Sequence, residues 1–214
     1  VSSDVKKLVV REIPGAVGPL EVLIDGPSGP PRAAVVLGHP LPTGGGTMHT
    51  KMVYQGAKGL ARIGCVVLRF NFRGVGRSAG QFDHGRGEQD DFRAALDYMA
   101  ATYPGLPLWA GGGSFGSYIG MTVGARDPRV SALIGIAPPV HKYDFSAVEA
   151  STKPKFIVHG EEDELIPMRL IRAFYARLPE PRELVMIEGA NHLFDGQAGE
   201  VGEALEGLLG DFHA

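Results

Sequence analysis

The order of apolar patterns in this chain predicts an α/β fold: a mostly parallel central sheet flanked by helices on both faces. Three observations carry that expectation. Strand-length apolar runs alternate with segments whose apolar residues recur at helical spacing, glycine and proline mark the boundaries, and no repeat, low-complexity tract or long linker interrupts the alternation. The 214 residues, 44% of them apolar, suffice for one domain over residues 1–214 with a sizeable core.

Two strands are expected first, over about Lys7–Ile13 and Leu20–Asp25. Ala33–Leu37 follows, a continuous apolar run suited to a central strand covered on both faces. A helix over about Thr50–Ile63 leads to strand Val66–Phe70, and a helix over Glu88–Ala101 places Phe92, Ala95, Leu96 and Met99 on one face. Strand Leu106–Ala110 runs into Gly111-Gly112-Gly113-Ser114-Phe115-Gly116, and the helix that follows continues to Arg126, where Asp127-Pro128 stops it. Strands Ser131–Ile136 and Lys155–Val158 come next. Pro167 is suited to open a helix striped by Leu170, Ile171, Phe174 and Leu178, before strand Glu183–Ile187. The last helix carries Val201, Leu205, Leu208 and Phe212. Function in such sheets gathers in loops at the carboxyl ends of the strands, where every motif below falls.

Composition narrows the partners. Basic residues number 21 against 24 acidic ones, a net charge of −3 with no basic block, so the electrostatic footprint of a nucleic-acid binder is missing. No apolar run approaches the roughly 20 residues of a membrane span, and Val1 to Asp4 do not open a secretory signal. The single cysteine, Cys65, cannot form an internal disulfide and reads as a buried thiol of a cytoplasmic protein. The expectation is a monomer or homodimer that acts on a small molecule, without nucleic acid or membrane.

Gly112-Gly113-Ser114-Phe115-Gly116 is a G-x-S-x-G pattern set between a predicted strand and a predicted helix. A serine at the apex of so tight a turn takes strained backbone angles that expose its Oγ, and glycines beside it let neighbouring segments pass close by. Gly116, Gly120 and Gly124 recur once per turn on one helix face. Each costs about 1 kcal/mol relative to alanine, which close approach to the sheet would offset. Gly111, Gly113 and Gly116 also spell G-x-G-x-x-G, so a nucleotide-binding protein is an alternative. Against it, the next strand ends in Ile136-Ala137-Pro138 where an acidic ribose anchor would stand, and Ser117 takes the place of a P-loop lysine.

A serine hydroxyl needs a base to take its proton and a carboxylate to orient that base. Asp163 lies beyond strand Lys155–Val158 and His192 beyond Glu183–Ile187, which gives the chain order Ser, Asp, His. Of the seven histidines, His84 and His213 read as exposed and His159 as stabilising its own turn. Glu161, Glu162 and Glu164 read as solvated loop charges, with one of them the alternative to Asp163. Two backbone N–H groups should face the oxyanion: Phe115, which follows the serine, and Leu41, the first donor after His39 because Pro40 has none.

Together these segments resemble the α/β-hydrolase superfamily, and more narrowly its small lidless bacterial serine hydrolases related to dienelactone hydrolases and simple esterases. The resemblance spans nearly the whole chain, through Gly38-His39-Pro40-Leu41, Asn71-Phe72-Arg73-Gly74-Val75-Gly76-Arg77-Ser78, the Ser114 turn, His159 to Asp163 with Pro167, and Asn191-His192. It departs where His39-Pro40 replaces the usual His-Gly, and where Asn71 replaces an aspartate. Serine also stands where dienelactone hydrolases have cysteine and haloalkane dehalogenases have aspartate. The resemblance implies an α/β-hydrolase fold without a cap domain, since only the short connection from Pro138 to Pro154 is available for one. It implies a carboxylesterase-like enzyme that cleaves small carboxylic esters or thioesters through an acyl-enzyme, with no metal or organic cofactor. The rim of the open site is expected to draw on Met48, His49, Phe82, His141, Tyr143 and Phe145. A relative that has lost catalysis and only binds is the second alternative.

Overall fold

The computed structural model describes residues 6–8 and 11–213. Along the chain lie β1 (Lys6–Leu8), β2 (Glu12–Gly15), β3 (Gly18–Gly26), β4 (Ala33–Gly38), a 3-10 turn (Pro42–Gly44), α1 (Lys51–Arg62) and β5 (Cys65–Phe70). Then come α2 (Gly87–Thr102), β6 (Leu108–Gly113), α3 (Phe115–Arg126), β7 (Val130–Ile136), α4 (Ser146–Glu149), β8 (Lys155–Gly160), α5 (Met168–Arg177), β9 (Arg182–Ile187) and α6 (Ala198–Leu209). The strands pair in the order β1-β3-β5-β4-β6-β7-β8-β9, with β2 also on β3. From β5 to β9 every pairing is parallel, and only the N-terminal strands are antiparallel.

The all-apolar central strands are explained by two cores, one on each face. Successive strand residues point to opposite sides. In β4, Ala34 and Val36 join Phe92 and Leu96 of α2 and Ile119 of α3, whereas Ala33, Val35 and Leu37 join Met52 and Leu60 of α1 and Leu205 of α6. The expected helix faces are therefore the buried ones. The glycine row of α3 does press on the sheet: a Cβ at Gly116 would stand 2.2 Å from the Gly38 carbonyl, and one at Gly124 2.7 Å from Ala110 Cβ.

Three expectations need correction, and two short elements were not foreseen. The strand expected over Lys7–Ile13 is divided: β1 pairs with Ile24–Gly26 and β2 with Gly18–Glu21, while Val9 and Val10 lie outside the described residues. The strand expected over Leu106–Ala110 instead continues through Gly113, because glycines here let Ile134, Met52 and Gly38 lie against the backbone. Pro167 caps α5 in an extended conformation (φ −52°, ψ 140°) rather than opening it as its first residue. The one-turn helix α4 and the 3-10 turn, both shorter than any periodic signal, were not expected.

Between β7 and β8 the chain carries only α4, so there is no cap domain over the carboxyl edge of the sheet. Among the described residues, no helix is long and apolar enough to cross a membrane.

Candidate active site

Ser114 sits at the junction of β6 and α3 with φ 48° and ψ −119°, a strained conformation for a residue with a side chain. Its backbone is held from both directions. Ser114 N–H donates to Ile136 O at 2.8 Å, and Ser114 O accepts from Ser117 N at 2.9 Å and Ser117 Oγ at 2.6 Å. The turn can be this tight because Gly112 and Gly116 both abut the Gly38 carbonyl, where a Cβ would come within 2.3 Å.

Two loops from other strands meet this serine. The loop after β8 brings Asp163 and the loop after β9 brings His192, both buried. Ser114 Oγ lies 3.0 Å from His192 Nε2, and His192 Nδ1 lies 2.8 Å from Asp163 Oδ2. An ionised carboxylate only accepts, so Nδ1 carries the proton and Nε2 presents its lone pair to the hydroxyl. The other carboxylate oxygen accepts Leu165 N–H at 2.9 Å and Ile166 N–H at 2.7 Å. Burial disfavours the charge on Asp163, yet the hydrogen bonds from His192 and Ile166 outweigh it and hold the carboxyl below its ordinary range.

His159 does brace its own turn, as its position suggested. Its Nε2–H donates to Ile166 O at 2.8 Å, and the ring lies 3.7 Å from Asp163 Oδ2. Burial lowers its pKa and keeps it neutral. Glu164 is not merely a solvated charge: its Oε2 accepts His192 N–H at 3.2 Å and it lines the cleft above the serine. Glu161 and Glu162 are exposed, as are His84 and His213.

Leu41 and Phe115 line the same cleft as Ser114, and their N–H groups donate to no protein acceptor among the described residues. Sequence reasoning missed what holds the Leu41 loop. The buried His39 ring donates from Nδ1 to Pro40 O at 2.6 Å and accepts Phe72 N–H on Nε2 at 3.1 Å, pinning the loop after β4 to the end of β5. Asn71 ties the same region together, accepting Met48 N–H at 2.9 Å and donating to Glu21 Oε2 at 2.9 Å. The His39-Pro40 dipeptide and the Asn71 departure were the signals available, but neither says where its partner lies.

Of the six expected rim residues, His141 and Tyr143 line the cleft. The other four do not. Met48 and Phe145 are 2% and 3% exposed, Phe145 being packed on Tyr118 and Phe174. Phe82 lies edge-on to Phe115 with centroids 5.9 Å apart, and His49 is exposed away from the cleft. The apolar loop residues were drawn into the core because leaving them in water would forgo roughly 1.5–3 kcal/mol each.

The three glycines that suggested a dinucleotide site face protein. Cβ atoms at Gly111, Gly113 and Gly116 would meet Ile134 O, Met52 Sδ and the Gly38 carbonyl, so no open phosphate cradle lies beside them. Among the described residues, no group of three or more His, Cys, Asp or Glu side chains is placed to hold a metal ion.

A hydroxyl, an imidazole and a carboxylate joined in series at the carboxyl edge of a parallel sheet define a serine hydrolase. Comparison with known proteins agrees. Residues 29–148 match the family model described as serine aminopeptidase, S33. The fold superposes on an α/β serine hydrolase homologue from Coxiella burnetii with a TM-score of 0.88 and 38% identity, covering 98% of this chain and 99% of that one. A lidless α/β serine hydrolase from Xanthomonas campestris gives 0.85 and 35%, covering 97% and 94%. An uncharacterized protein of Rickettsia prowazekii is 38% identical over 188 residues, 82% of this chain and 77% of that protein. The chain belongs to the α/β-hydrolase superfamily, with the small lidless esterase-like fold of bacterial serine hydrolases.

Proposed function

We propose that the protein hydrolyses small carboxylic esters, thioesters included, through an acyl-enzyme on Ser114. His192 is the base, Asp163 its orienting carboxylate, and the N–H groups of Leu41 and Phe115 receive the oxyanion. The observation that carries this reading is the hydrogen-bonded series of 3.0 and 2.8 Å opening into a cleft of about 410 Å³, a volume within the usual range for small-molecule sites.

Ser114 Oγ attacks the ester carbonyl carbon as His192 Nε2 takes its proton, and the electron pair displaced onto the carbonyl oxygen is met by the two N–H groups. When that pair returns, the bond from carbon to the alcohol oxygen breaks and His192 gives the proton to the departing alcohol. Water then attacks the acyl-enzyme with His192 again as base, releasing the carboxylic acid and restoring Ser114. Asp163 stays ionised throughout and stabilises the imidazolium formed at each stage. The reading places this chemistry in the cytoplasm because the single cysteine, Cys65, can form no internal disulfide; its thiol is buried, which pushes it up to about 12.

The test pairs turnover of p-nitrophenyl acetate and butyrate with labelling by a fluorophosphonate, and includes aminoacyl p-nitroanilides as the peptidase arm. The expected result is ester turnover, no anilide turnover and a single adduct on Ser114. Ser114→Ala should lower turnover about 10⁶-fold, the scale of comparable deletions. An adduct elsewhere, or most of the activity surviving in that variant, overturns the assignment.

A further inference from the structure

Three large apolar side chains stand exposed among the described residues, Val17, Leu165 and Leu193, and two of the three line the cleft of Ser114. Leu165 is 57% exposed and Leu193 is 45% exposed. Isolated surface leucines are unremarkable in folded proteins, but apolar side chains converging on a cleft with catalytic groups are covered when a ligand binds. Their positions say which part of the ligand that is. Leu165 follows Asp163 by two residues and its N–H is held by that carboxylate at 2.9 Å, while Leu193 directly follows His192. Both leucines thus travel on the two loops that carry the acid and the base.

The imidazole that takes the serine proton must pass it to the oxygen of the departing alcohol, so the alcohol half of an ester lies against His192. The acyl half is anchored by its carbonyl at Leu41 and Phe115, on the loops after β4 and β6. We infer that Leu165 and Leu193 form an apolar seat for the alcohol half, and that the preferred substrates are esters of uncharged, apolar alcohols. The inference rests on the ester-hydrolase reading above. The Glu164 carboxylate, which directly precedes Leu165 in sequence, lines the cleft and receives His192 N–H, and Lys142 lines the same cleft with the opposite charge, so the cleft singles out neither sign of charged alcohol and the leucines set the preference.

The experiment measures kcat/KM by proton release for two series: acetates of linear alcohols from methyl to hexyl, and methyl esters of linear acids from acetate to hexanoate. Wild type is compared with Leu165→Ser, Leu193→Ser and the double variant. Fully burying one methylene is worth about 4-fold, and an open seat that covers half of it about 2-fold. Hexyl over methyl acetate should therefore favour the longer alcohol by about 30-fold in wild type, falling below about 5-fold in the double variant, while the acyl-series ratio keeps its wild-type value. Each ratio is taken within one protein preparation, so partial unfolding of a variant cancels. A hexyl-to-methyl ratio near one in wild type, an unaltered ratio in the double variant, or a change confined to the acyl series each overturns the seat. Failure to hydrolyse any ester in either series would instead overturn the ester reading itself.

Discussion

Replacing Gly120 with alanine should loosen the whole catalytic turn, although alanine is the better helix former. In an unconstrained helix the exchange would stabilise by about 1 kcal/mol. At position 120, in the middle of α3, a Cβ would stand 2.4 Å from the Gly111 carbonyl oxygen and 2.8 Å from Gly111 Cα. Non-bonded heavy atoms rest near 3.5 Å, so about 1 Å of separation must open between helix and strand. Both contacts are backbone, and no change of rotamer relieves them. Overpacking of this kind costs about 3 kcal/mol at the upper end of its usual range, leaving a net loss of about 2 kcal/mol and a Tm lower by about 4–8 °C for a chain of this size. Gly111 belongs to β6, which ends at Gly113 just before Ser114, and α3 begins just after that serine, so the displacement also reaches the 3.0 Å contact between Ser114 Oγ and His192 Nε2. A misplacement near 1 Å costs turnover about 100-fold. The control is Gly207→Ala in α6, where a Cβ meets nothing within 4 Å and a gain of about 1 kcal/mol is expected. Urea unfolding and p-nitrophenyl acetate turnover of both variants decide the matter. Equal gains in stability with full activity in both would refute the idea that this helix is set by backbone contact with the sheet.

Two further perturbations probe the frame around the site. Burial outweighs the bond to Pro40 and pushes His39 down to about 4, so between its unfolded value near 6.5 and that figure only the unfolded chain takes up the proton. Its contribution is whole above pH 6.5 and is lost on acidification, by about 3 kcal/mol across the window; urea midpoints at pH 7.5 and 4 should differ less in His39→Gln, and equal differences would count against the assignment. Asp25→Ala leaves the buried Arg69 guanidinium without the carboxylate now 2.7 Å away. A loss of about 3–5 kcal/mol by urea denaturation is expected, and a change under 1 kcal/mol would show that the charge finds another partner.

Much of the site could be read along the chain because its chemistry is local to strand ends. The Ser114 turn needs small residues on both sides within five positions, and a strand before and a helix after, all of which are sequence-contiguous. The chain order of Ser114, Asp163 and His192 follows from one loop after each of three parallel strands. The cost of three glycines in one helix row is also visible without coordinates, and it pointed to the close contact that α3 makes with the sheet.

What the linear chain could not contain is which loops face each other. His192 meets a serine 78 residues earlier and a carboxylate 29 residues earlier, and it does so because β6, β7, β8 and β9 are laid side by side in that order. The same holds for His39, whose ring reaches 33 residues to Phe72 because β4 and β5 are neighbours. Loop residues have no hydrophobic period, so Met48 and Phe145 in the core and Leu165 and Leu193 on the rim look alike in sequence. Local steric and hydrogen-bonding demands determined the elements and the turn, whereas the convergence of the hydroxyl, imidazole and carboxylate, and the division of loop side chains between core and cleft, were decided by strand adjacency and burial, which exist only once the sheet has formed.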